Sequence, residues 1–281
     1  PWRKNGKGKH SAQAGPGPIP ARPDYLRRRS RRRNRIGGTS IWSAIHELLP
    51  NEKTIYLADS KNAPYGQKTK EEIVALSKKN VEFLLENNCK LIVVACNTAT
   101  TNAIRELRND YDIPFIGIEP AIKPAANNSK TQVIGILATK GTLNSELFNK
   151  TAEMFQHTTI IEQVGHGLVQ LIEDGNLNSP EMTQLLETYL QPMIDANIDY
   201  LVLGCSHYPY LIPQIKKILP EHIQIIDSGE AVARQTQNIL REKVGFTDAV
   251  DNNDPVFYVN SNPAVLKSIL EDKYPVIEKD F

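Results

Sequence analysis

Two short segments place a thiol where it could act on a carbon acid. In one, the apolar run Leu91–Ala95 ends in Cys96-Asn97-Thr98. In the other, Tyr200–Gly204 ends in Cys205-Ser206-His207. Each is an apolar strand-like run, then a cysteine, then a small hydroxyl- or amide-bearing residue, then a helical pattern. The two cysteines lie 109 positions apart, about one domain length. A cysteine at such a strand end meets the N-terminus of the next helix, whose dipole and free N–H groups favour the thiolate. Asn97 and Thr98 stand where they can donate to a substrate carboxylate beside those N–H groups. A lone strand-end cysteine is more often inert packing than a reactive group, so the weight rests on the matched pair. Two facing thiols suit proton transfer at a Cα. One removes a proton, the other supplies one from the opposite face, and the stereocentre inverts. A thiol with an ordinary pKa near ~8.5 can be tuned toward neutrality by its neighbours. His207, two residues beyond Cys205, is placed to orient it. Cys89, in Asn87-Asn88-Cys89-Lys90, has no such context and is read as structural.

Two further elements are candidates. Asp59-Ser60-Lys61-Asn62-Ala63-Pro64-Tyr65-Gly66 follows a β-rich run and precedes a helix. Its Pro-Tyr-Gly is at least a rigid turn, and Tyr65 with exposed backbone N–H groups could line a small-molecule pocket. Glu173, in the run GHGLVQLIEDG, is a candidate acid, set against the plainer reading of an exposed helix-end glutamate.

These residues need strands that end together and helices that begin there. Periodicity predicts helices over Thr39–Leu49, Thr69–Glu86, Thr98–Arg108, Leu143–Phe155, Leu168–Glu173, Ser179–Ala196, Pro209–Leu219, Glu230–Val244 and Ala264–Leu270. Strands are predicted over Thr54–Ala58, Leu91–Ala95, Phe115–Ile118, Gln132–Ala138, Thr159–Gln163, Tyr200–Gly204, Gln224–Ile226 and Phe257–Val259. Repeated strand–helix units imply parallel sheets clothed on both faces, with ligands beyond the carboxyl ends of the strands. The expected fold is α/β, a duplicated pair of such domains.

Composition bounds the alternatives. The chain has 281 residues, 40% hydrophobic and 23% charged, with three cysteines. That suits one or two globular domains and excludes a disulfide scaffold. No apolar run approaches the roughly 18–20 residues that span a bilayer, and no Cys/His cluster has zinc spacing. Residues 1–35 hold twelve Lys/Arg and a single acid, Asp24, leaving the remainder with a net charge of −10. This leader, rich in Gly and Pro, buries too little to offset its ordering entropy and is expected to be disordered. It lacks the apolar core of a secretory signal. The RRRSRRR run, Arg27 to Arg33, could contact nucleic acid; such binding would fall steeply with salt and vanish on deletion of 1–35. The acidic body argues against it.

The segments ADSKNAPYG, VVACNTAT, GIEPAIKPA, GILATKGTL, LVLGCSHYP and IDSGEAVA, in this order, resemble the glutamate racemases of bacterial peptidoglycan synthesis. The resemblance runs from about Gly37 to the C-terminus. It implies two similar α/β domains with the active site in the cleft between them: residues 36–118 plus 229–281, and residues 119–228. It also implies a cofactor-independent reaction without pyridoxal phosphate or metal. Cys96 would take the Cα proton of D-glutamate and Cys205 that of L-glutamate. His207 would support Cys205, with Glu173 assisting on that side. Tyr65, Gly66, Asn97, Thr98 and Ser206 would hold the substrate. Ser206 stands where the family usually has Thr, keeping the hydroxyl. Expected partners are the small-molecule substrate alone, without nucleic acid or membrane, with a homodimer admissible and the cytoplasm as location.

One departure is larger. The family opens with an apolar strand and DSGxGG, whose Asp assists the first cysteine and whose Ser binds substrate. Here Arg33-Asn34-Arg35-Ile36-Gly37-Gly38 stands at that place. Because the chain also starts with Pro1, residues 1–35 are read as out-of-frame translation from a frameshift or mis-assigned start, which resequencing would test. Taken as written, the chain would lack a strand beside the Cys96 strand, and an Arg, which is no base at neutral pH, would replace the acid. Three competing readings follow: an aspartate- or hydantoin-type racemase, an impaired fold that only binds glutamate or a protein partner, and a thiol hydrolase built on Cys205 and His207. The last leaves the second thiol without a role.

Overall fold

Alternating strands and helices build the molecule, and in this computed structural model residues 37–247 and 254–281 are described. The expectations for residues 1–35, and for the Arg33–Ile36 departure, lie outside the described residues. In chain order the strands are β1 (Ile55–Ala58), β2 (Ile92–Val94), β3 (Phe115–Gly117), β4 (Val133–Ala138), β5 (Thr159–Val164), β6 (Tyr200–Gly204), β7 (Gln224–Ile226), β8 (Val256–Val259) and β9 (Val276–Glu278). The helices are α1 (Thr39–Leu48), α2 (Lys70–Glu86), α3 (Asn97–Asp110), α4 (Ile122–Asn128), α5 (Lys140–Leu143), α6 (Glu146–Glu153), α7 (Leu168–Glu173), α8 (Pro180–Asp195), α9 (Ile212–Ile218), α10 (Gly229–Ile239) and α11 (Ala264–Ile269).

One sheet holds β5-β4-β6-β7, all parallel. Side chains alternate across it with the period of two that a strand imposes. From β6, Leu201 and Leu203 meet Leu186, Leu190 and Met193 of α8. Val202 points to the other face, with Ile134 and Ile136 of β4 and Ile122, Ala125 and Phe148 of α4 and α6. Both faces are covered, which is why the runs VIGILA and YLVLG are continuously apolar. A Cβ at Gly135 would lie 2.7 Å from the Met193 sulfur, so α8 approaches the sheet only over glycine.

Among the described residues, the strands flanking this half of the chain form two parallel pieces, β1-β8-β9 and β2-β3. Two helices span both. α1 sets Trp42 edge-on against Phe257 of β8, with centroids 4.8 Å apart, and packs Ile41 and Ile45 with Leu91 and Val93. On the opposite face α2 sets Phe83 edge-on to Tyr258 at 5.2 Å and packs Val81 and Leu84 with Ile92 and Val94. α2 is started by a capping box between Thr69 and Glu72. α1 starts at Gly38, whose φ of 91° a glycine adopts without steric cost.

Several boundaries differ from the periodicity. The helix predicted over Leu143–Phe155 is two short helices, because Ser145 caps a new one by accepting from the Phe148 N–H. The Pro209–Leu219 helix opens with a 3₁₀ turn at Tyr208–Leu211. The Glu230–Val244 helix ends in a π-turn, Leu240–Val244. Helix α4 and strand β9 are additions to the predicted set. Among the described residues, no helix is long and apolar enough to cross a membrane.

Candidate active site

The carboxyl ends of β1, β2, β4 and β6 open on one cavity of about 1240 Å³. Of the residues singled out from sequence, Tyr65, Gly66, Cys96, Thr98, Glu173, Cys205, Ser206 and His207 line it. Asn97 lies behind it, on a small void shared with Cys205 and Ser206.

Cys96 is the residue before α3, so the N–H groups of Thr98 and Ala99 face its sulfur. Burial pushes the thiol up to about 11, with those N–H groups pulling the other way and Cys205 close enough for its charge to raise it further. Asn97 is 3% exposed, and its Nδ2 has no hydrogen-bond partner. A buried donor left unmade costs about 1–3 kcal/mol. Asn97 is therefore an unmade donor in the wall behind the cavity.

Cys205 is differently equipped. Its sulfur lies 3.6 Å from His207 Nδ1, and His207 Nε2 lies 2.6 Å from Glu173 Oε1 at the end of α7. Burial alone would lower the imidazole. Hydrogen bonds and charge from Cys205 and Glu173 outweigh it and raise His207 to about 10. At neutral pH the pair is an imidazolium held between a sulfur and a carboxylate. The two thiols are therefore set in unlike surroundings, Cys205 beside the His207–Glu173 pair and Cys96 at the start of α3.

Gly37 fixes the other side of this imidazole. Its carbonyl accepts from the Tyr56 hydroxyl at 2.6 Å, and a Cβ on it would fall inside the His207 ring. Gly37→Ala is expected to displace the ring, costing about 1–3 kcal/mol of stability by overpacking and lowering turnover. Thermal unfolding and initial rates check this; an unchanged rate would mean that His207 needs no such wall.

Sequence reasoning passed over several residues. Thr139 and Thr142, at the end of β4 and in α5, form a triangle of hydroxyls with Thr98, with Oγ1 separations of 2.8, 3.0 and 3.3 Å. Asn102 joins the same helices by donating to Gly141 O at 3.0 Å. The signal was available, since β4 also ends in a hydroxyl residue that starts a helix. Across the cleft, Ser40 donates to Ser206 O at 3.1 Å, and the Thr39 and Tyr210 hydroxyls meet.

Asp59 is the other omission. It accepts from the Tyr65 hydroxyl at 2.5 Å, from Asn62 at 2.7 Å and from Asn260 at 2.6 Å. Burial, then Asp59, drives the Tyr65 phenol well above its ordinary range, so it stays a neutral donor. Asp59→Ala releases the ring without touching either thiol. The expected result is a KM raised about tenfold, the worth of one hydrogen bond to a charged group, with kcat nearly unchanged. A fall confined to kcat would contradict the binding role.

Comparison with known proteins agrees with this geometry. Residues 37–236 match the family model of the Asp/Glu/Hydantoin racemases. A glutamate racemase of Ralstonia pickettii (strain 12J) is 48% identical over 206 residues, covering 73% of each chain. Among solved structures, the Bacillus anthracis glutamate racemase isoform RacE1 superposes with a TM-score of 0.79 at 31% identity, covering 87% of this chain and 94% of that one. The Escherichia coli glutamate racemase, solved with L-glutamate and the activator UDP-MurNAc-Ala, gives 0.76 at 30% identity, covering 85% and 92%. With two thiols from different sheets meeting in one cleft and a family match over 200 residues, the chain belongs to the Asp/Glu/Hydantoin racemase family and, within it, to the glutamate racemases.

Proposed function

We propose that the chain interconverts L- and D-glutamate by a cofactor-independent, two-thiol exchange of the Cα proton. The observation that carries this is the unequal pair of thiols on one cavity, Cys205 backed by His207 and Glu173, Cys96 by the start of α3. Cys205 removes the proton of L-glutamate and Cys96-SH delivers one to the opposite face. From D-glutamate the roles reverse. Asn97, Thr98, Ser206, Tyr65 and the Gly66 backbone hold the polar groups, so that Cα sits between the sulfurs. Residues 36–118 with 229–281 make one domain in this reading, and 119–228 the other. The product would supply D-glutamate for peptidoglycan in the cytoplasm.

The unequal thiols predict unequal pH behaviour. A raised thiol pKa means the base form appears only as pH climbs toward it. Turnover from D-glutamate, which needs the Cys96 thiolate, is expected to rise with pH up to about 11. Turnover from L-glutamate needs the His207 imidazolium and is expected to hold through neutrality and fall above about 10. The enantiomers have equal free energies in water, so kcat/KM stays equal from both sides at every pH and KM absorbs the difference. Identical kcat profiles from both enantiomers would contradict the assignment.

The primary test is circular dichroism of the purified chain with each enantiomer, without added pyridoxal phosphate, beside Cys96→Ser. Decay from both enantiomers, lost in the variant, is the expected result. Decay with aspartate alone would shift the substrate. No decay, with glutamate still bound, would mark an impaired fold traceable to Arg33-Asn34-Arg35.

A further inference from the structure

Beside the hydroxyl triangle of Thr98, Thr139 and Thr142, the 3₁₀ turn Tyr65–Gln67 and the short helix α5 meet backbone to backbone. A Cβ on Gly141 would lie 2.9 Å from Thr98 Cγ2 and 3.2 Å from Gly66 Cα. A Cβ on Gly66 would lie 3.0 Å from Thr139 Cβ. An approach this close leaves room for glycine alone on both sides. One side chain ties the seam. Asn102 stands one turn beyond Thr98 on α3 and lines the cavity. Its Nδ2 donates to Thr98 O of its own helix at 2.8 Å and to Gly141 O of α5 at 3.0 Å. Gly141 O is a helix-end acceptor that needs such a donor. α5 is four residues long, and the Ser145 N–H, which a longer helix would direct to Gly141, goes to Thr142 O at 3.2 Å. Asparagine is also a poor residue for a helix interior; here its amide has a tertiary use.

We infer, resting on the reading of Thr98 as a substrate contact, that Asn102 is a positioning residue that sets the length of substrate side chain the cavity accepts. Thr98 is tied to Cys96 by the start of α3, two residues away. Thr142 is carried by α5, so its distance from Thr98 depends on what holds α5 against α3. With Asn102 bonded to Gly141, the three hydroxyls stand at one distance from the sulfurs. A substrate one methylene shorter cannot reach them while its Cα stays between the thiols. With the tie cut, α5 can follow the shorter chain, and the site loses its measure of length. One methylene read by a rigid pocket is worth about tenfold or more in discrimination. Asn102 acts through the hydroxyls and touches neither sulfur, so its loss falls on binding before chemistry.

Two variants of the full chain test this from opposite sides of the seam. Asn102→Leu keeps the branching and removes the donor. Gly141→Ala keeps Asn102 and wedges α5 away from Thr98 with a methyl group. Glutamate turnover is followed with aspartate as competing ligand. In both variants the KM for glutamate is expected to rise, with kcat within about twofold of the parent. The ratio of the aspartate Ki to the glutamate KM should fall by about tenfold. Asn102→Gln, which keeps the amide, should recover part of that ratio. An unchanged ratio overturns the proposal, as does equal weakening of both ligands or a loss confined to kcat, the marks of a merely structural asparagine. Amide exchange without substrate reads the tie itself. The N–H groups of Thr142 and Leu143, bonded to Thr139 O, are expected to exchange about tenfold faster in Asn102→Leu. Unchanged exchange overturns the tie even where the parent racemises glutamate. A parent that neither binds nor turns over glutamate ends the racemase reading and the length measure with it, whatever the exchange shows of α5.

Discussion

Cys96→Ser and Cys205→Ser are each expected to lower turnover by about 10²–10⁴-fold from both enantiomers, the span of one general acid–base group. A serine keeps the position and a hydrogen bond, but its hydroxyl does not ionise near neutrality. Both directions fail together because every inversion uses both sulfurs, one as base and one as acid. The partial reactions separate them. In heavy water, Cys96→Ser retains Cys205 and its His207–Glu173 support. It should exchange the Cα hydrogen of L-glutamate without inverting it. Cys205→Ser should exchange that of D-glutamate, and more slowly, because the remaining thiol is pushed up to about 11. Proton NMR of the Cα signal reads both. Racemisation within tenfold of the parent in either variant would reduce that sulfur to packing.

His207→Asn and Glu173→Gln come second in size, at about 10²-fold or more in kcat from L-glutamate. Asparagine can still contact the Cys205 sulfur, yet it carries no charge to hold a thiolate. Glutamine at 173 can still meet His207 Nε2, but removes a charge that raises the imidazole to about 10. The alkaline fall in turnover from L-glutamate should then move to lower pH, toward the ordinary histidine range of ~6.5. Because the three groups act in series, the double variant should be little worse than His207→Asn alone. Full additivity would mean that Glu173 acts on the substrate by some route other than His207. Both positions lie in a packed wall, so circular dichroism and thermal unfolding must accompany the rates.

Both cysteine strands were legible because a run such as LIVVA or YLVLG has few other structural uses. The pairing of cysteine with a helix start then placed the thiols. The predicted helix over Thr69–Glu86 found its start because Thr69 and Glu72 cap it. What escaped lay in tertiary geometry or weak local signal. Helix α4 carries Pro124 and ends in two asparagines, a composition that reads as loop. Strand β9 is three residues and needs β8 to exist. The role of Asp59 depends on Asn260, 201 positions away.

The triangle of Thr98, Thr139 and Thr142 has three oxygens, three protons and three edges. If every edge carries one bond, the protons must circulate in a single sense, and two such senses exist with the same partners. A carboxylate oxygen arriving at Thr98 claims one proton. The loop then opens into a line with a fixed direction, Thr98 becoming an acceptor from its neighbours. In the proposed division Thr98 belongs to residues 36–118 and the other two to residues 119–228. A ligand bound at Thr98 would thereby change the hydrogen-bond polarity across the cleft, by rotation of hydroxyls with the heavy atoms left in place.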